Sequence, residues 1–161
     1  EDYRDFLCTL FDVWYNDGRP AASIRLFENV LAVFLGVEPE ICSFRDHCGS
    51  YAVVEYNGDV YPCDFFVEKG WLLGNLRETP LPELMKKRKR REFNRRKMQQ
   101  TSGCSACEWN FICHHGCQHY RSPEGKNVLC GAYREFFRYT KPRFLALADR
   151  QIGLERPQAE K

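Results

Sequence analysis

Nine cysteines are the residues of this chain whose type and spacing point most directly to chemistry. Cys104, Cys107, Cys113 and Cys117 form a C-x2-C-x5-C-x3-C run, and such a spacing suits a metal because a C-x2-C turn aims two thiolates at one centre. Gly116, just before Cys117, would let the backbone approach sulfur closely and donate N–H bonds to it. Cys42, Cys48, Cys63 and Cys130 are scattered singly. A disulfide framework competes with this reading, but the odd count, the lack of an export signal and a chain long enough for its own core argue against it. Cys8 sits one helical turn before Phe11 and reads as a small buried hydrophobe. The remaining eight make two four-cysteine sites, which zinc or iron-sulfur clusters would equally accept. Paired zinc sites usually show two C-x2-C pairs, and only one is present here. Scattered single ligands suit the wider perimeter of a four-iron cube, and Cys117 could cross over to the other site as the fourth cysteine of a compact run does in two-cluster ferredoxins.

Elements that would position these thiols can be read around them. Phe6, Leu7, Leu10, Phe11 and Trp14 recur at helical spacing over residues 1–17, with Gly18 as a stop. Ala22 to Leu26 reads as a short strand, and Phe27 to Leu35 as a second helix ending at Gly36. Tyr51 to Tyr56 and Val60-Tyr61 flank Asn57-Gly58-Asp59, which predicts a hairpin whose turn needs positive φ and whose second strand delivers Cys63. Thr79-Pro80 reads as an N-cap with proline at the first helical position, opening a helix that runs through Leu84 and Met85 into a basic stretch. A loop is expected at Thr101 to Gly103. Ala132 to Tyr139 and Arg143 to Ile152 read as helices split by Pro142, with a frayed tail from Pro157. Helices, one hairpin and cysteine-rich loops amount to an α+β fold.

With 161 residues, 43% of them hydrophobic, the chain can bury a real core. No apolar run approaches the roughly 18 residues of a membrane span. The expectation is a protein with no membrane partner, in the cytoplasm, and, since the chain starts at Glu1 inside a helix, a piece of a longer polypeptide. The net charge of +2 is uneven: nine of the 24 basic residues lie between Lys86 and Lys97, so this window is +8 against Glu92 and the rest of the chain is −6. A charge run is usually a solvated helix face, and Phe93 alone interrupts it as an aromatic, so no nucleic-acid partner is expected. His114, His115 and His119 crowd the ligand run and are expected beside the ligands or in solvent, since eight thiolates already fill two sites.

Cys48-x9-Gly58-x4-Cys63, then Cys104-x2-Cys107-x5-Cys113-x3-Cys117, then Cys130, resembles the seven-cysteine signature of the SPASM domain, the auxiliary-cluster module of radical S-adenosylmethionine enzymes that modify peptides. Further features resemble the anaerobic sulfatase-maturating enzymes: Cys42 six before Cys48, the phrase Asn57-Gly58-Asp59-Val60-Tyr61-Pro62-Cys63-Asp64, Phe66-Val67, Leu73-Gly74-Asn75 and Thr79-Pro80-Leu81. The resemblance covers about residues 1–150. It implies a SPASM-like fragment of a larger enzyme: a helical lead-in over 1–37 from a radical barrel, a SPASM domain over 38–150 and a tail over 151–161. It also implies two 4Fe-4S clusters, one held by Cys42, Cys48, Cys63 and Cys117 and the other by Cys104, Cys107, Cys113 and Cys130, with zinc as a possible substitute.

Asp64 matches the family's base for oxidising a sulfatase cysteine or serine to formylglycine, and a carboxylate beside an anionic cluster in a closed cleft should be a stronger base. Capping of the turn after the hairpin is the plainer role for Asp64. The implied partners are an N-terminal radical domain, which would supply S-adenosylmethionine and a third cluster, and a sulfatase peptide. The chain departs from the family in lacking C-x3-C-x2-C, since Tyr120 stands three residues after Cys117; alone it should not start radical chemistry. Gln118 stands where relatives often carry proline, a difference expected to matter little. A maturase for another peptide, such as a thioether-forming one, and a zinc-stabilised interaction module are the alternatives.

Overall fold

The computed structural model of the chain describes residues 2–49, 51–99 and 101–155. Helices α1 (Asp2–Tyr15) and α2 (Arg25–Phe34) come first. A 3-10 turn ends α1 at Gly18, which has φ +77, and Gly36 with φ +73 follows α2. The expected strand over Ala22 to Leu26 is not formed. Arg25 and Leu26 already belong to the first turn of α2, and the Ala22 carbonyl accepts from the Trp14 indole at 2.9 Å in place of a sheet partner.

The hairpin is present as β1 (Val53–Val54) and β2 (Asp59–Tyr61), paired antiparallel with Val53 opposite Tyr61. Its turn differs from expectation. Gly58 donates to the Glu55 carbonyl and carries a positive φ of +91, while Asn57 does not, so this is a three-residue loop with glycine in the left-handed position. A third strand, β3 (Gly74–Asn75), pairs with β2. It is too short to show as a period; the Asn75 amide pins it to the Asn57 carbonyl and the Asp59 carboxylate at 3.0 and 2.9 Å.

The helix after Pro80 is broken in two. α3 (Leu81–Met85) and α4 (Arg88–Met98) are separated by Lys87 in extended conformation, whose ammonium reaches back to the Leu73 carbonyl at 2.8 Å. Pro80 itself holds the N-cap position, one residue after the expected Thr79. The one-turn helices α5 (Ser102–Ser105) and α6 (Asn110–Cys113) carry the cysteine run, and α5 occupies most of the expected loop.

α7 (Cys130–Glu155) continues through Pro142, where two helices were expected. Proline removes one N–H donor from the ladder. One ring bridges the defect: Phe11 of α1 packs on Phe136 before the proline and on Phe144 after it, with centroids 5.9 and 4.8 Å away. The tail from Pro157 lies outside the described residues.

Phe11, Phe27, Phe136 and Phe144 are fully buried and form the centre of the main core with Leu7, Trp14, Val30 and Leu147. Phe44, Trp109 and Ile112 belong to the same core. They fasten the Cys42 turn and the Cys107–Cys113 segment to the helices. Val60, Leu73 and Leu84 make a small separate core under the sheet. Cys8 packs against the main core but is half-buried, where a buried small hydrophobe was expected, and burial raises its thiol pKa.

Candidate metal centre

All nine cysteines are free thiols. Apart from Cys8 they fall into two groups. Cys104, Cys107, Cys113 and Cys130 line one cavity of about 420 Å³, and Cys117 is not in its lining. Cys117 lies instead within electrostatic reach of Cys42, and Cys48 within reach of both. Cys42 and Cys63 both face the Tyr51 hydroxyl, at 3.7 and 3.9 Å.

Backbone conformation separates Cys113 from Cys117. His114, His115 and Gly116 have φ of +41, +63 and +66, three consecutive left-handed residues that reverse the chain between the two thiols. For each histidine that conformation costs on the order of 1–2 kcal/mol. No sequence signal marks those histidines, since nothing in their type requires a positive φ. Gly116 is needed for a reason other than the expected one. Its N–H donates to the Cys113 carbonyl at 2.7 Å, and an added Cβ would lie 2.0 Å from the amide nitrogen of buried Asn127.

Burial raises the pKa of Cys63 and of Cys113 to about 11, and lifts Cys48 and Cys117 as well. In the metal-free chain these thiols hold their protons at neutral pH, so ligation must release them.

Polar groups around the thiols are unusual. His115 is 5% exposed, and both of its ring nitrogens are buried without partners, as are the Trp109 indole nitrogen and the Asn110 side-chain oxygen. All three residues line the cavity with the four cysteines. Burial, followed by Arg121 and Lys97, lowers the His115 pKa to about 4, so the ring is neutral. The Trp109 indole N–H and the single N–H of the neutral His115 ring are orphaned donors beside four thiols and fit a group rich in sulfide acceptors. A single zinc ion would draw its sulfurs to within about 4 Å of one another. Among the described residues no three His, Cys, Asp or Glu side chains gather closely enough to hold one ion.

Gln118 overturns an expectation. It is buried, and its amide donates to the Cys48 sulfur at 3.1 Å and to the Phe93 carbonyl at 3.3 Å. The basic run is likewise not wholly a solvated face. Arg90 and Lys97 are 3% and 1% exposed. Arg90 donates to the carbonyls of Gly49 and Pro62, next to Cys48 and Cys63. The signal available in sequence was Phe93: it is buried, and Arg90 and Lys97, three before and four after it, share its face of α4.

Asp64 follows Cys63 on the 3-10 turn after β2. Its carboxylate is exposed and accepts from the Cys63 thiol at 3.3 Å. Cys63, the N-cap residue of that turn, makes no side-chain cap hydrogen bond. Phe65 and His119 stack at 4.5 Å beside Asp64, with Tyr120 at their edge.

Residues 42–108 match the SPASM family, described as an iron-sulfur cluster-binding domain. Over 156 residues the chain is 35% identical to the cysteine-type anaerobic sulfatase-maturating enzyme of Clostridium perfringens (strain 13 / Type A), covering 92% of this chain and 42% of that protein. It is 34% identical over 149 residues to the serine-type anaerobic sulfatase-maturating enzyme of Bacteroides thetaiotaomicron, covering 88% and 36%. Native anSMEcpe with bound AdoMet and Kp18Cys peptide superposes with a TM-score of 0.85 at 36% identity, over 92% of this chain and 43% of that one. The chain thus spans about two fifths of the length of these relatives. Among the described residues no helix is long and apolar enough to cross a membrane.

Proposed function

With residues 42–108 a SPASM iron-sulfur cluster-binding domain in a chain homologous to the C-terminal region of anaerobic sulfatase-maturating enzymes, we propose that this chain is the auxiliary-cluster part of such an enzyme. It would act in the cytoplasm on a sulfatase peptide whose cysteine or serine becomes formylglycine. Residues 1–37 are its helical lead-in, from a domain that binds S-adenosylmethionine and the third cluster.

In this reading Cys42, Cys48, Cys63 and Cys117 hold one 4Fe-4S cluster and Cys104, Cys107, Cys113 and Cys130 the other. When bound, such clusters supply one-electron redox capacity. The residues of this chain do the rest. Asp64 presents an exposed carboxylate with no backbone partner, fixed by the hairpin next to a ligand, and takes a proton from the substrate at Oδ. Phe65, His119 and Tyr120 offer an aromatic surface beside it on which an extended peptide can lie. Arg90 and Gln118 hold the Cys48 loop against the Cys63 and Cys117 segments.

The observation that carries this reading is the parting of eight thiols into two groups, with an exposed carboxylate hydrogen-bonded to Cys63 of one. Asp64→Asn, made in an enzyme in which this segment follows its radical domain, tests it. Iron content and S-adenosylmethionine cleavage should persist while formylglycine formation falls by roughly 10² to 10⁴. Full product formation would move the base to another residue, and loss of iron would make Asp64 structural.

A further inference from the structure

Lys97 is the last basic residue of the run and the most buried, at 1% exposure. Its ammonium donates to three carbonyls: Ser43 at 3.2 Å, His114 at 3.0 Å and Gly116. Ser43 directly follows Cys42, and the other two lie between Cys113 and Cys117. One side chain therefore ties the loops that bear both cysteine groups. Among the described residues no carboxylate pairs with it. The nearby groups able to carry negative charge are the thiols of Cys48, Cys113 and Cys117, which belong to both groups.

A buried cation without a counter-charge is costly to desolvate. Here the neighbourhood adds to that cost, since Arg121, also short of carboxylates, donates to the Lys97 carbonyl at 2.7 Å and faces the same thiols. Holding carbonyls in place needs only a neutral donor, so the charge itself calls for a reason. Four thiolates around an iron-sulfur core carry net negative charge, and reduction adds to it. A fixed cation in a poorly polarisable interior favours the more negative state far more than one in water would.

We propose that Lys97 is a positioning residue shared by the two cysteine groups, whose positive charge raises the reduction potential of both centres. This rests on the reading that the groups hold iron-sulfur clusters. The three carbonyls fix the ammonium between the groups, so its effect reaches both from one point. Arg90, which faces only Cys48 and Cys63 among the cysteines, acts on one group alone.

The full chain, reconstituted anaerobically with ferrous iron and sulfide, provides the test, with iron content and the midpoint potentials from an EPR-monitored redox titration as readouts. Lys97→Gln keeps a neutral donor and removes the charge; Lys97→Arg keeps the charge. Lys97→Gln should retain iron while both potentials shift to more negative values, and Lys97→Arg should stay near wild type. Potentials unmoved in an iron-loaded Lys97→Gln, or only one of them moved, would overturn the proposal. If Lys97→Gln takes up no iron, Lys97→Arg decides: full loading supports a requirement for the charge, and equal failure means shape alone matters and the proposal falls. A wild-type chain that binds zinc and no iron would remove the cluster reading itself, before any variant is compared.

Discussion

The side-chain amide of Gln118 donates to the sulfur of Cys48 at 3.1 Å, joining positions 70 residues apart. Because Gln118 follows Cys117, this bond brings the loop of Cys48 to the segment of Cys117 without help from the Cys104–Cys113 cavity. Gln118→Ala removes the donor and should cost on the order of 1 kcal/mol of stability. It should also weaken metal retention in the group of Cys42, Cys48, Cys63 and Cys117 by roughly 10–100-fold. Iron release to a chelator measures this; release as slow as wild type would show that the bond orients nothing.

Cys117→Ala separates the two groups directly. Cys117 is absent from the cavity lined by the other four thiols, so the variant should lose about half of the bound iron and keep the cavity group intact. Cys130→Ala should do the reverse. Loss of the cavity group in Cys117→Ala would place Cys117 with Cys113 and contradict the crossover.

Much of this was legible in the residues. The periodic aromatics gave α1 and α2, Asn57-Gly58 gave the hairpin, and the cysteine spacing implied two four-thiol sites. What escaped detection depended on distant contacts. The unbroken α7 rests on Phe11 reaching both sides of Pro142, which no local pattern displays. β3 has two residues, too few to show as a period, and the Asn75 amide supports its backbone pairing with β2. The buried ends of Arg90 and Lys97 look, in sequence, like the rest of a basic run, and Gln118 looks like a surface residue until Cys48 is placed beside it. In the left-handed turn at His114-His115-Gly116 the outer two carbonyls accept from Lys97 and the middle one from Arg121, and composition is silent about that.

Metal removal should act unevenly. The segments Cys42–Cys63 and Cys104–Cys130 supply few fully buried large side chains, whereas α1, α2 and α7 share an aromatic core. Stripping the metal should raise amide exchange across Cys104–Cys130 and leave α1 and α2 protected. Unchanged protection across Cys104–Cys130 would contradict this.

Asp12 links α1 to α7. It accepts from the Tyr139 hydroxyl at 2.8 Å and from the Arg143 guanidinium at 2.5 Å. Burial opposes its ionisation, but donation from Arg143 and Tyr139 outweighs that and holds its pKa below the ordinary 3.8. A carboxylate with a depressed folded pKa contributes stability that is fully present above its unfolded pKa and lost as pH falls through the folded one. Asp12→Asn should therefore lower the melting temperature of the helical core at pH 7, by an amount matching about 1 kcal/mol or less because the pair is partly exposed. The gap should shrink below about pH 4. An equal gap at pH 3 and pH 7, followed by far-ultraviolet circular dichroism, would rule out the charged pair as its source.

The central claim, that eight thiols of this chain hold two four-iron clusters, is tested most directly by counting metal and sulfide in the anaerobically purified and reconstituted protein. Two clusters require about eight irons and eight acid-labile sulfides per chain, with the brown colour of cysteine-ligated iron. About two zinc ions with no sulfide would contradict it.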